Sequence, residues 1–452
     1  MVRRFLCALL ASIGCAGTAL ALQVYYADLH SHTGYSDGIG TPAEAYAYAR
    51  DVAHINVLGI TDHTGMLTAS EWADELAQAD LATVSDEFVG LAAQEFGNLN
   101  DFGHIGIYDC LYRNPNNTEN LLGTYQFMKD MGAIGNFNHP AYGSNFNNLA
   151  FYPQYLDQMT GIEIRNGERT DNYEPQYIQA LQNGWHLGPM GNQDNHNGHW
   201  GDQGNPNHGN AIYLVGILAE SLTKQQILGA LRARRFYAME VRPPTDRIEL
   251  SFNANGSPMG SSIESSAHLA LTVTAHGGSP NSLFNRIELF EDGVNVDYAI
   301  VLGNTVSWQF DRLMHDGEHH FYFVRVHQVD GDYAWSSPIW VTGRINPADA
   351  AEVATDGGIP RLGNEPNPFG TSTTISFILP EACGSCSAGL EIHDLSGRLV
   401  ARVTPVVLGP GEHRWTWKPA SAGGAPPPAG IYLCRLIVNG ECVRVRKLVL
   451  AR

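Results

Sequence analysis

The chain has 452 residues, with 46 Asp and Glu against 27 Lys and Arg and a net charge of −19. That length suggests about three domains with room for large cores. The scarcity of basic residues argues against nucleic acid as a stable partner.

In chain order, residues 1–21 read as a secretory signal. Arg3 and Arg4 form a basic start, Phe5 to Ala19 an apolar stretch, and Ala19-Leu20-Ala21 a small-residue cleavage site. Cys15 leaves a lipidated form open, although Ser12 stands where a lipobox has Leu. No other segment approaches the roughly 20 apolar residues of a membrane-spanning helix, so the mature chain is not expected to be an integral membrane protein.

Residues 22–245 alternate short apolar strands with capped helices, the pattern of βα units. Val24–Leu29, Asn56–Thr61, Phe88–Ala93, Gly132–Phe137, Gly161–Ile164, Leu187–Gly191 and Ala211–Val215 read as strands. Thr41 with Glu44, Thr68 with Glu71, and Thr223 with Gln226 have capping-box spacing, and Asn183-Gly184 is a helix stop. Seven strands with intervening helices predict a β/α barrel with its chemistry at the C-terminal strand ends.

Residues 246–345 turn to period-two runs with few helix signals and predict an all-β sandwich. Residues 346–362 read as a linker, and 363–452 as a second all-β domain with strands at Thr373–Leu379, Gly389–Asp394, Glu412–Lys418 and Gly430–Val438. Seven cysteines are present. Cys110 reads as a buried small side chain. Cys383, Cys386, Cys434 and Cys442 lie close together, and disulfides fit their spacing better than a zinc knuckle.

The chemistry-bearing residues cluster at predicted strand ends: Asp28-Leu29-His30-Ser31-His32, Asp37, Thr61-Asp62-His63, Glu95, His104, Asn138-His139-Pro140 and Asp194-Asn195-His196. His30 and His32 share one face of an extended segment. Five such placements in one βα array point to a metal centre. The donors are N and O without thiolate, which suits Zn, Mn or Fe. Nine candidate ligands (His30, His32, Asp37, His63, Glu95, His104, His139, Asp194 and His196) are too many for one tetrahedral ion and enough for two or three, with Glu95 as the expected bridge. Adjacent divalent ions lower the pKa of bound water and stabilise both attacking and leaving oxygens, which suits hydrolysis of a small-molecule phosphoester or ester.

This set resembles the polymerase-and-histidinol-phosphatase (PHP) superfamily over roughly residues 24–240. The resemblance implies a distorted seven-stranded β/α barrel. It also implies a first ion on His30, His32, Glu95 and Asp194, a second on Glu95, His104 and His139, and a third on Asp37, His63 and His196. Asp37 stands where some relatives have a histidine.

Gly191 to His196, Arg234 to Met239 and Asn255 to Gly260 look like a narrower branch of secreted PHP metallohydrolases related to carbaryl hydrolase. Carboxylester, carbamate or amide hydrolysis therefore stands beside phosphoester hydrolysis, and a non-catalytic surface-binding protein with structural ions is a third reading. Asp62 is expected to orient a ligand histidine. His199 is a candidate proton donor to the leaving group, and Arg165 and Arg235 are candidates for neutralising an anionic substrate.

Asn364 to Phe369, Thr373 to Phe377 and Leu390 to Arg398 resemble a type IX secretion sorting or Ig-like domain. That implies contact with secretion machinery and a secreted or cell-surface location in a Gram-negative-type bacterium.

Overall fold

The computed structural model describes residues 21–115, 120–143, 145–168, 172–242, 245–265, 268–314, 316–344, 361–379, 384–394, 398–419 and 427–451. Nearly all of the expected signal, the linker at 346–360, Cys383 and the side chain of Cys442 lie outside the described residues. The chain divides into a unit ending at Arg344 and a second unit beginning at Ile345.

The first unit opens with three parallel strands, β1 (Gln23–Asp28), β2 (Val57–Ile60) and β3 (Val89–Ala92). The helices between them, Pro42–Asp51 and Ala69–Ala82, begin with the capping boxes expected at Thr41/Glu44 and Thr68/Glu71. The chain then builds a second sheet from β4 (Gln94–Asn98), β5 (Gly103–Tyr108), β6 (Ile134–Asn138), β7 (Met159–Asn166) and β8 (Gly188–Asn192), paired in that order. β9 (Ile212–Ala219) returns antiparallel to β1, and β10 (Phe236–Val241) antiparallel to β9. Ala27, Leu29, Val57 and Val215 of one sheet share an apolar cluster with Tyr108, Ile134 and Met190 of the other.

The strand ladders of this layout form two sheets, joined at the strand ends by the isolated parallel bridges Ser31–Asn195 and His63–Glu95, and do not by themselves establish the seven-stranded ring expected from the sequence. The β4–β5 hairpin and β10 were not among the expected strands. The hairpin escapes apolar-alternation reading because Gln94, Glu95, Asn98 and His104 interrupt it. Gly97 adopts φ +147 where β4 crosses β5, and a Cβ there would lie 1.9 Å from the Gly103 carbonyl oxygen.

The middle segment continues as β11 (Glu249–Ala254), β12 (Ser257–Pro258), β13 (Ser262–Ser265), β14 (His268–His276), β15 (Phe284–Glu291), β16 (Val294–Gly303), β17 (Thr305–Leu313), β18 (His319–Gln328), β19 (Tyr333–Ser336) and β20 (Ile339–Gly343). One of its sheets runs β12-β11-β14-β17. The other joins the first domain directly: β19 pairs with β10, so a single sheet extends from β3 through β1, β9, β10, β19 and β18 to β13. Leu58, Ile60 and Tyr237 pack in the same core as Leu250, Phe252 and Val324. The sandwich is therefore continuous with the site-bearing region.

The second unit contains β21 (Arg361–Glu365), β22 (Thr373–Leu379), β23 (Cys386–Asp394), β24 (Leu399–Leu408), β25 (Gly411–Trp417), β26 (Gly430–Val438) and β27 (Glu441–Leu450). Its two sheets, β21-β22-β25 and β24-β23-β26-β27, enclose Ile375, Leu390, Trp417, Cys434 and Leu436. Cys386 is disulfide-bonded. Among the described residues, no helix is long and apolar enough to cross a membrane.

Candidate metal centre

Each candidate side chain is delivered by a strand end or the turn beyond it. His30 and His32 follow β1, His63 follows β2, His139 follows β6, and Asp194 and His196 follow β8, while Glu95 and His104 sit on the hairpin. Backbone contacts hold these ends together. His32 N–H donates to Asn195 O at 2.8 Å and Thr61 N–H to Ser31 O at 2.8 Å, and His63 bridges Glu95. His139 (φ 29) and Asp194 (φ 51) occupy backbone space that costs non-glycine residues energy. The His139 N–H is anchored there by Glu163 Oε2 at 2.6 Å.

Glu95 is the hub. Its Oε1 lies 3.1 Å from His30 Nε2, 3.2 Å from His104 Nδ1 and 3.2 Å from His139 Nε2. Its Oε2 lies 3.1 Å from His63 Nδ1 and 3.6 Å from His32 Nε2. Asp194 Oδ1 is 3.2 Å from His30 Nε2 and 3.3 Å from His32 Nε2. At the outer side, Asp37 lies 3.2 Å from His196 Nε2 and 3.5 Å from His63 Nε2. The structure thus brings all nine expected side chains into one pocket.

The charges are mutually supporting. Burial pushes the Glu95 carboxyl up, but His104 and His30 outweigh it and hold it well below its ordinary value. Burial likewise opposes ionisation of Asp194, and His30 again reverses the balance. The His30 ring, disfavoured as a cation by burial, is raised well above its ordinary range by Asp194, Glu95 and Glu163. Burial pushes Asp28, which accepts from Ser31 and from the His30 and Gln193 amides, up to about 7.

The donor set fits divalent cations. His32 Nε2, His104 Nδ1 and His139 Nδ1 are buried without a hydrogen-bond partner. Buried polar atoms ordinarily find a partner, so these lone pairs suit a cation among the carboxylates. Among the described residues, four groupings within this site have ligand atoms close enough to share an ion: His30/His32/Glu95, His30/His139/Asp194, His63/Glu95/His104 and His32/Asp37/His63/His196. They regroup the expected sets: His139 joins His30 and Asp194, and His63 stands between the inner and outer groups.

The four remaining candidates lie elsewhere. Asp62 accepts from Thr33 N–H at 2.7 Å, Thr33 Oγ1 at 2.5 Å and Ser36 Oγ. It holds the turn after His32, and its link to a histidine is indirect, through Ser36 Oγ, 3.4 Å from His32 Nδ1. His199 is 63% exposed and contacts Tyr48 Oη at 3.1 Å. Arg165 donates to Glu240 at 2.9 Å, also bonds Asn172, and stacks 4.8 Å from the Trp335 ring, so it ties the first domain to the sandwich.

Arg235 sits at the opposite end of the sheet. Its carbonyl accepts from Leu218, which is level with Val24, six strand residues or roughly 20 Å before His30. The reason is topological: β10, antiparallel to β9, runs in the same direction as β1, and Arg235 precedes its N-terminal end, away from the C-terminal strand ends that carry the site.

Glu163 was missed. It is fully buried in β7, with Oε1 2.8 Å from His30 Nδ1 and accepting from Asn192 at 3.0 Å, and Oε2 accepting from the His139 amide and from Asn166 at 3.0 Å. The available signal was a lone carboxylate inside the apolar run Gly161-Ile162-Glu163-Ile164. Asn138 donates to Glu95 Oε1 at 2.8 Å, and Asn166 to Asp194 at 3.2 Å. Glu168 Oε1 lies 3.7 Å from His196 Nδ1 and contributes to raising that ring to about 9 against the effect of burial.

No family model matches the chain. Over 142 residues it is 29% identical to an uncharacterized protein of Chlamydia pneumoniae, covering 28% of this chain and 22% of that protein. Over 233 residues it is 24% identical to an uncharacterized protein of Chlamydia trachomatis serovar D, covering 44% and 36%. The chain therefore spans well under two thirds of these curated relatives. Among solved structures it is similar to a two-domain protein of Bacteroides vulgatus containing a predicted PHP-like metal-dependent phosphoesterase. There the TM-score is 0.41 and the identity 16%, over 67% of this chain and 90% of that one.

Proposed function

We propose that the chain is a metal-dependent hydrolase of the PHP kind, acting as a phosphoesterase on a small-molecule substrate. The observation that carries this reading is the convergence of nine imidazole and carboxylate groups around Glu95. His30, His32, His139, Asp194 and Glu95 would hold the inner ions, shared with His63 and His104. Asp37, His63 and His196 would complete an outer position. Bound divalent ions supply Lewis-acid stabilisation of an anionic transition state and a lowered pKa for coordinated water.

The protein's own part is orientation and access. Glu163 fixes the His30 ring with Nε2 toward Glu95 and Asp194, and Asn138 and Asn166 hold those two carboxylates. Asp62 pins the Thr33–Ser36 turn that carries Asp37 into place. The inner groups are buried, whereas the side chains of Asp37, His63 and His196 are 42%, 22% and 20% exposed. Substrate would enter on that side. Export by the first 21 residues, with the C-terminal unit serving secretion machinery, is part of the same proposal and rests on sequence resemblance.

The test is a panel of nitrophenyl phosphate, bis-nitrophenyl phosphate and nitrophenyl acetate, assayed before and after chelation. Phosphoester turnover that vanishes with the ions and returns with Mn or Zn supports the reading. Chelator-insensitive turnover, or turnover of the acetate alone, contradicts it.

A further inference from the structure

The loop that follows His196 forms a cleft that none of the nine ligand side chains occupies. Its volume is about 400 Å³, a size that suits a small molecule, and its walls are Asn197, His199, Asp202, Gln203, Gly204 and Pro206. The near end adjoins the exposed side of the metal centre: Asn197 Nδ2 donates to Glu168 Oε1 at 3.4 Å, and that oxygen lies 3.7 Å from His196 Nδ1. The loop is fastened to the segments that carry the ligands. Asn195 Oδ1 accepts from the Asn197 and Gly198 amides at 2.8 and 3.1 Å, and Gln193 Oε1 from the Gly201 and Gln203 amides at 3.1 and 3.0 Å. Trp200 Nε1 donates to the His32 carbonyl at 3.0 Å. Walls tied down in this way lose little freedom when a ligand binds.

The walls present both acceptors and donors. Among the described residues Gln203 Oε1 is buried without a hydrogen-bond partner. The Tyr48 hydroxyl lies 3.1 Å from each Asp202 carboxylate oxygen, and its one proton serves one acceptor at a time. The side-chain amides of Asn197 and Gln203 add donors. Among the described residues no Lys, Arg or aromatic ring lines the cleft. A second anion would therefore meet Asp202 with no cation to hold it, and a nucleobase would find no ring to stack on. An ammonium group only donates and would leave the amide donors unmatched, whereas a hydroxyl both donates and accepts. We propose that the cleft holds the leaving group of the substrate, and that this group is an uncharged polyhydroxylated alcohol, making the substrate a sugar or polyol phosphate monoester. This rests on the phosphoesterase reading. Water oxygen bonds to phosphorus, the ester P–O bond breaks, and a proton from that water ends on the released alcohol. The wall groups bind hydroxyls remote from the breaking bond.

Phosphate release by the metal-loaded full chain from glucose 6-phosphate, butyl phosphate and phosphoethanolamine tests the assignment, since all three are primary alkyl esters. Nitrophenyl phosphate measures phosphoesterase activity separately. The kcat/KM for glucose 6-phosphate should exceed that for either other alkyl ester by at least about tenfold. Gln203→Leu should shrink that preference to within about threefold, through KM rather than kcat, with an unchanged melting temperature. Equal kcat/KM for glucose 6-phosphate and butyl phosphate, a preference for phosphoethanolamine, or a Gln203→Leu protein that keeps the wild-type preference overturns the assignment. If nitrophenyl phosphate is still hydrolysed, the phosphoesterase reading survives any of those results. If it is not, that reading fails and takes the leaving-group assignment with it.

Discussion

Glu163 Oε1 lies 2.8 Å from His30 Nδ1, and both side chains are fully buried. The contact leaves His30 Nε2 as the nitrogen that faces Glu95 and Asp194. A carboxylate behind a ligand histidine fixes its ring and raises its basicity. Glu163→Gln keeps the shape but weakens that effect, and metal affinity should fall roughly 10- to 100-fold. Competition with a chromophoric chelator measures this, and circular dichroism checks that the fold is retained.

Ion loading should displace protons. The inner carboxylates hold the His30 ring protonated well above its ordinary range, and ligation requires it neutral. Calorimetric titration of the metal-free protein in two buffers of different ionisation enthalpy should show net proton release near neutral pH, and affinity should weaken as pH falls. Identical heats in both buffers would contradict this.

Removing the ions should destabilise the first unit. At a free ion concentration about 1,000 times its dissociation constant, one site adds about 4 kcal/mol. Chelation should lower the melting temperature of the site-bearing unit, and the transition of residues 345–452, which have their own core, should stay where it is. Differential scanning calorimetry resolves the two transitions.

The arginines divide by what they touch. Arg165→Ala removes one of two arginines from the nearly buried Glu240, which Arg242 still holds at 2.6 Å, and should cost about 2 kcal/mol. Arg235→Ala, at the far end of the sheet, should cost less than about 1 kcal/mol. Neither should change KM for an anionic ester, because neither faces the pocket. Steady-state kinetics and urea unfolding separate the two effects.

Acid stability has a specific contributor in the sandwich. Burial opposes ionisation of Glu288, but His327 and Arg325 outweigh it and lower its carboxyl from 4.5 to about 2. Because the folded value lies below the unfolded one, the stabilisation is complete above pH 4.5 and is lost as pH falls toward 2. Glu288→Gln should be less stable than wild type at pH 6 by about 2 kcal/mol and should converge with it near pH 2. Unfolding of chelated protein across that range measures it.

The ligand positions were readable because histidine and carboxylate rarely end several apolar strands in succession. His30, His63, His139 and Asp194 each terminate a recognisable run, so their convergence followed from strand direction alone. The β4–β5 hairpin was not readable, since Glu95 and His104 replace the apolar residues by which a strand is recognised. Arg235 was misplaced for a different reason: it precedes β10, a strand not recognised in the sequence, whose N-terminal end lies away from the site. Glu163 lay inside an expected strand, but only the three-dimensional contact with His30 gives it a role. The sheet shared through β10 and β19 was hidden too, because strand periodicity does not specify a partner.

The most direct test of the account is metal analysis of the purified protein beside its Glu95→Ala variant. The account predicts two or three equivalents of Zn, Mn or Fe per chain in the wild type, with a clear loss in the variant and a parallel loss of phosphoester turnover. A folded wild-type protein that binds no divalent ion, or a Glu95→Ala protein with undiminished metal and turnover, would contradict it.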